Sequence, residues 1–195
     1  MRKVFAVPIA ALMVIATGGA AIAANTTSWL FNLQTTVPGT CSIQNGHTVS
    51  ANNAVVGAPG SSPTTINFSP AVNPTTALLN AANAVWAADA MCNNFATQAT
   101  LASQSGTMFN AALPTVVSGS FLNKVDYSVT GNWASVVLVP LLANQPPNTP
   151  TRASTPIGGA INGALQLTFA VPASGLPLLA GSYTDVMTLT LFTSP

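Results

Sequence analysis

Glutamate is missing altogether, and every other titratable residue is scarce. Charged residues make up 4% of the 195 positions, and there is a single histidine, His47. Acid–base catalysis needs titratable groups brought close together. Once the first residues are set aside, the supply is Asp89, Asp126, Asp185 and His47. No G-x-S-x-G elbow supports a nucleophilic serine. Paired carboxylates of the glycosidase kind would have to meet through folding alone. The composition therefore predicts a chain with no catalytic residue, no metal site and no cofactor. Basic residues are equally few, which argues against nucleic acid as a partner and against a polybasic lipid-binding surface.

Long hydrophobic runs are also missing, apart from one at the start. Met1-Arg2-Lys3 is followed by an apolar stretch from Val4 to Ile15 and then by small residues ending Ala21-Ile22-Ala23. A basic segment, an apolar segment and an A-x-A site in this order predict a cleavable secretory signal over 1–23. The apolar stretch is too short for a good membrane span, so no span is expected in the mature chain. Removing 23 of 195 residues leaves 172, enough for one domain with its own core. Lys124 and Arg152 then face Asp89, Asp126 and Asp185, a net charge of about −1. With 49% apolar residues, the chain is not composed like a disordered one. Little charge repulsion opposes its packing against copies of itself.

Cysteine occurs twice, as Cys41 and Cys92. In an exported chain an even pair favours a disulfide, with two free buried thiols as the alternative. A bridge would close a loop of about 50 residues, for which chain entropy gives roughly 4 kcal/mol. A metal site is disfavoured because only His47 could add a further soft ligand.

What is abundant is Thr, Ser, Asn, Ala and Val, punctuated by Gly and Pro. Short alternating runs bounded by turn residues predict an all-β sandwich or barrel. In the run 29–37, Trp29, Phe31, Leu33 and Val37 share one face of a strand. Further strands are expected over 95–101 and 165–171. The run 125–139 is expected to form a hairpin broken at Gly131-Asn132. In the run 183–192, Met187, Leu189 and Leu191 alternate with Thr188 and Thr190. The Ala-rich stretch 77–86 suits a short helix on propensity. Segments 57–64 and 143–160 read as exposed loops, and His47 falls in a turn beside Asn45-Gly46. Trp86 and Trp133 read as core or loop-anchor residues, and Tyr183 as a core or corner tyrosine.

Several of these pieces stand in a telling order: an apolar alternating strand, Thr40-Cys41-Ser42-Ile43, Met91-Cys92-Asn93-Asn94, a strand centred on Tyr127, and Ala180-Gly181-Ser182-Tyr183-Thr184-Asp185 before the final alternating strand. This order resembles the spore coat protein U domain family, which includes secreted pilus subunits of the archaic chaperone–usher type. Gly181, Tyr183 and Asp185 carry the sharpest part of the match. The resemblance implies an immunoglobulin-like β-sandwich over 41–195 that is incomplete, lacking its final strand because the chain stops soon after 183–192. It implies an extension over 24–40 that donates Trp29, Phe31, Leu33 and Val37 to a neighbour by strand addition. The expected partners are copies of itself or related subunits, a periplasmic chaperone and an outer-membrane usher. The expected location is the periplasm in transit, then a surface fibre or coat with a role in adhesion or biofilm. Two rivals stand beside this reading. One is a carbohydrate-binding or tip adhesin module, favoured by a surface cluster of Trp86, Trp133 and asparagines. The other is a small outer-membrane barrel, for which the length suffices but the cysteine pair and Pro-rich segments fit poorly.

Overall fold

Period-2 burial is clearest in the final strand, over Met187–Thr193, and recurs in parts of several others. In a computed structural model, which describes residues 33–112 and 120–193, the fold is all-β and sandwich-like. Residues from 37 onward form one compact unit, and residues 1–36 form another, of which only 33–36 are described. The strands are β1 (Cys41–Asn52), β2 (Val55–Gly57), β3 (Thr65–Asn67), β4 (Ala82–Cys92), β5 (Thr97–Ser103), β6 (Met108–Phe109), β7 (Lys124–Val125), β8 (Tyr127–Trp133), β9 (Val136–Ala143), β10 (Thr151–Pro156), β11 (Ile161–Val171) and β12 (Met187–Thr193). Among the described residues a single 3₁₀ turn occurs, at Ser69–Ala71. Among the described residues no helix is long and apolar enough to cross a membrane.

One sheet has five strands in the order β1-β4-β11-β8-β9, and a second has three in the order β10-β5-β12. All their pairings are antiparallel. The core lies between them. Trp133, Leu138, Leu141, Leu165, Leu167, Val129 and Val171 come from the first sheet, and Leu101 from the second; all are essentially inaccessible. Burying side chains of this size contributes about 1.5–3 kcal/mol each.

The Ala-rich segment 77–86 is not a helix: it is loop with an isolated bridge at Leu79 and then, from Ala82, strand. In β4, Ala82, Ala84, Ala88, Ala90 and Cys92 are buried while Asn83, Asp89 and Met91 are exposed. Helix propensity favours alanine, but β4 lies between β1 and β11 and hydrogen-bonds on both sides. Non-local pairing overrides the local preference.

The hairpin expected to break at Gly131-Asn132 turns instead at Ala134-Ser135. Trp133 pairs with Val136, leaving a two-residue loop whose residues have φ of 44° and 77°, the left-handed geometry of a tight hairpin turn. Gly131 stays inside β8 for a different reason. A Cβ there would lie 2.8 Å from Leu167 Cδ2 and 2.9 Å from Leu138 Cδ1, so the glycine admits two core leucines.

The segment 143–160 is not loop throughout: it contains β10, paired with β5. Its Pro156 is tolerated because β10 is an edge strand. His47 lies within β1, just past an irregularity at Asn45-Gly46 where Asn45 has φ 55°. The final strand is shorter than the alternation suggested. It begins at Met187, and Thr184 forms only an isolated bridge with Phe109.

Candidate functional site

The two long edges of the sandwich differ. At one, the Val139 N–H of β9 donates to the Thr155 hydroxyl of β10 at 2.7 Å, stitching the sheets together. At the other, β1 ends the five-stranded sheet and β12 ends the three-stranded one. Among the described residues neither pairs with a further strand on its outer side.

Side chains facing inward at this second edge are only half covered. Met187, Leu189 and Leu191 of β12 lie opposite Ser103, Leu101 and Ala99 of β5, and residues directly opposite share a sheet face. The β5 residues are buried, whereas the three on β12 are only partly so, though they touch the core. On the edge strand of the other sheet, Ile43 of β1 sits opposite the buried Ala90 yet remains 40% exposed. Trp86 faces inward on β4 opposite Leu167, and its indole N–H donates to the Pro59 carbonyl at 2.8 Å. The loop after β2 therefore covers Trp86. Ile43, Met187, Leu189 and Leu191 are thus apolar side chains left partly exposed on the two unpaired edge strands.

The start of β12 is held in place by Asp185. Its Oδ2 accepts from the Tyr127 hydroxyl at 2.6 Å and from the Ser103 hydroxyl. Its Oδ1 accepts from the backbone N–H groups of Ser105 at 2.9 Å and Val186 at 2.8 Å. Ser103 Oγ in turn accepts from the Gly106 N–H at 2.7 Å. One carboxylate thus joins β5, the turn after it, β8 and the approach to β12. Burial pushes the Tyr127 phenol up from its ordinary pKa, and the hydrogen bond to Asp185 pushes it further.

The other two motif residues act just upstream. The Tyr183 hydroxyl donates to the Leu179 carbonyl at 2.7 Å, with the Leu122 carbonyl at 3.3 Å. The first of these bonds ties the ring to backbone four residues before it. A Cβ at Gly181 would overlap the side-chain amide of Asn110. The trio thus aims the chain into β12.

Cys41 and Cys92 are bonded to each other, as expected, and are directly opposite across β1 and β4. Beside them Asn93 grips the root of the N-terminal extension. Its Oδ1 accepts from the Thr40 N–H at 2.7 Å and its Nδ2 donates to the Pro38 carbonyl at 3.1 Å. Of the expected donor residues, Trp29 and Phe31 lie outside the described residues, as does the signal expected over 1–23. Leu33 and Val37 are exposed, and residues 33–40 carry no strand pairing.

The other two aspartates and the histidine are engaged locally. Asp89 accepts from Asn45 Nδ2 at 2.7 Å. Asp126 accepts from the Thr107 hydroxyl at 3.0 Å and pairs with Lys124 at 2.9 Å. His47 Nδ1 lies 3.0 Å from the Asn45 carbonyl. Among the described residues no group of three or more His, Cys, Asp or Glu is placed to hold a metal. Trp133 is fully buried and donates to the Ala90 carbonyl at 3.2 Å.

No family model, no curated protein and no solved structure matches this chain.

Asn93, Ser103 and Tyr127 are the residues that sequence reasoning did not assign. Asn93 was visible only as a polar residue after a cysteine, and Tyr127 only as the centre of a strand. Their partners are distant in sequence, so no local pattern marks them.

Proposed function

We propose that this chain is a structural subunit of an extracellular fibre or coat, assembled by β-strand addition between copies. The observation that carries the reading is the pair of unpaired edge strands, β1 and β12, on which Ile43, Met187, Leu189 and Leu191 stay partly exposed; we take the space between them as the groove for an incoming strand. An unpaired sheet edge offers backbone donors and acceptors to an incoming strand, and pockets for alternate side chains select which strand enters. The alternating residues Trp29, Phe31, Leu33 and Val37 have that pattern. Burying four or five large side chains would contribute roughly 6–12 kcal/mol before ordering costs. Donation from one copy to the next does not close on itself, so it yields a fibre.

A tyrosine before the last strand that bonds back to upstream backbone supports an immunoglobulin-like sandwich, and the C-terminal motif supports the spore coat protein U resemblance. The signal-like start supports export, with a periplasmic chaperone and an outer-membrane usher as partners in transit. Adhesion or biofilm formation follows as the role of such a fibre. The carboxylates and the histidine are each engaged in holding local structure, which supports a non-catalytic role. The adhesin reading needs a surface Trp cluster. The burial of Trp133 and the covering of Trp86 by the Pro59 loop weigh against it.

Two measurements test the proposal. Deleting residues 25–37 should abolish fibres while leaving a folded domain. A synthetic peptide of residues 26–37 should then bind that truncated domain and raise its Tm. Normal fibres from the truncated chain would overturn the donor role.

A further inference from the structure

The root of the extension is held beside a hollow. Asn93 fixes the backbone at Pro38 and Thr40 through both ends of its amide, and the Asn93 N–H also donates to the Thr40 carbonyl at 3.1 Å. Next to this clamp lies a shallow depression of about 480 Å³, walled by Val37, Gly39, Asn94, Phe95, Gly159 and Ala160 beside Asn93 itself. Phe95 is 78% exposed. No charged side chain stands in the wall, which mixes the apolar Val37, Phe95 and Ala160 with the amides of Asn93 and Asn94.

We infer that this depression seats a second copy of the chain, the copy that accepts the extension, and that Asn93 and Phe95 set the angle between successive subunits. The inference rests on the strand-donation reading above. Val37 belongs to both surfaces. It is the last apolar residue of the proposed donor strand, and it is a wall of the depression. Consecutive Cα atoms are 3.8 Å apart, and the residues after Val37 are already clamped by Asn93. No slack separates the donated strand from the domain that donates it. A neighbour whose groove holds Val37 must therefore rest its groove mouth on Phe95 and Gly159. An exposed aromatic beside a chain-exit point is the kind of residue that anchors such a contact. The uncharged wall imposes no desolvated ion on either side. A contact of this size is too small to hold subunits together alone. It fixes their orientation while the donated strand supplies the affinity.

The test separates this contact from strand donation itself. A photo-activatable phenylalanine analogue replaces Phe95 in the full chain, and Phe95→Asp and Asn93→Ala are made in parallel. The peptide of residues 26–37 is titrated against each domain lacking 25–37. The expected result is unchanged peptide affinity, within twofold. Irradiated fibres should show covalent subunit ladders that monomers lack, and Phe95→Asp fibres should show a persistence length at least threefold shorter in electron micrographs. Absent ladders and unchanged stiffness, with peptide binding intact, would overturn the docking inference and leave strand donation standing. Failure of the peptide to bind the otherwise unaltered domain would overturn strand donation and the docking inference with it.

Discussion

The Tyr127 hydroxyl donates to Asp185 Oδ2 at 2.6 Å across 58 residues of sequence. The bond joins a strand of the five-stranded sheet to the residue that launches β12, the edge strand of the other sheet. The same carboxylate accepts from Ser103 and from two backbone N–H groups. The approach to the edge strand β12 is therefore held by a side chain that lies before it.

Asp185→Asn replaces an acceptor by a donor where two hydroxyls point. Hydrogen bonds to charged groups contribute about 1.5–3 kcal/mol each, and an unpartnered buried donor adds a penalty. The expected loss is about 2–4 kcal/mol in urea unfolding. Tyr127→Phe removes one bond and should cost less than Asp185→Asn. A loss below about 0.5 kcal/mol for Asp185→Asn, the level of ordinary surface changes, would show that the carboxylate does not hold β12.

Tyr127 also makes a pH prediction. Its folded pKa is raised above the ordinary phenol value of 10.0, so the folded state keeps a proton that the unfolded state loses. Its contribution to stability is complete below pH about 10 and declines as pH rises from there toward the folded pKa. Unfolding free energy should fall with pH above about 10, and the fall should be shallower in Tyr127→Phe. Identical slopes in the two proteins would exclude Tyr127 as the source.

Reduction of Cys41–Cys92, or Cys41→Ser with Cys92→Ser, opens a link between residues 51 apart. The chain-entropy model predicts a loss of about 4 kcal/mol, a fall in Tm on the order of 10 °C for a chain of this length. Because β1 is an edge strand and one lip of the groove, affinity for the 26–37 peptide should fall as well. Calorimetry and peptide titration under reducing and oxidising conditions check both parts.

Gly181→Ala places a methyl group against the Asn110 amide at a φ of 154° that side chains rarely adopt. The expected cost is about 1–3 kcal/mol. Gly175→Ala is the control: nothing lies within 4 Å of its added Cβ. Equal stability of the two variants would mean that Gly181 is not required for the approach to β12.

Parts of this fold were legible from local pattern. Leu165, Leu167 and Val171 lie inward as alternation predicts, and so do Met187, Leu189 and Leu191. The pairing of Cys41 with Cys92 followed from their number and the export-like start, and Tyr183, expected as a core or corner tyrosine, packs against the core with its hydroxyl on the Leu179 carbonyl. Other parts were not legible. The Ala-rich 77–86 reads locally as helix, yet β4 is held by partners on both sides. Gly131 reads as a turn, yet two leucines from β9 and β11 need its missing side chain. Thr151–Pro156 reads as loop, yet β5 recruits it as an edge.

By itself the sequence determined the fold class, the near absence of charge and the inward faces of the last two long strands. Each of these is a matter of residue type or of period 2, and both act between near neighbours. Only the tertiary structure decided that one edge of the sandwich is stitched by Thr155 while the other leaves Ile43 and Leu189 half covered. It alone decided that Asp185 finds Tyr127 and that Asn93 grips the extension. Edges and clamps depend on which distant strands meet. Sequence spacing does not encode that, because loop closure costs entropy that grows only slowly with length and so leaves many pairings open until the core selects one.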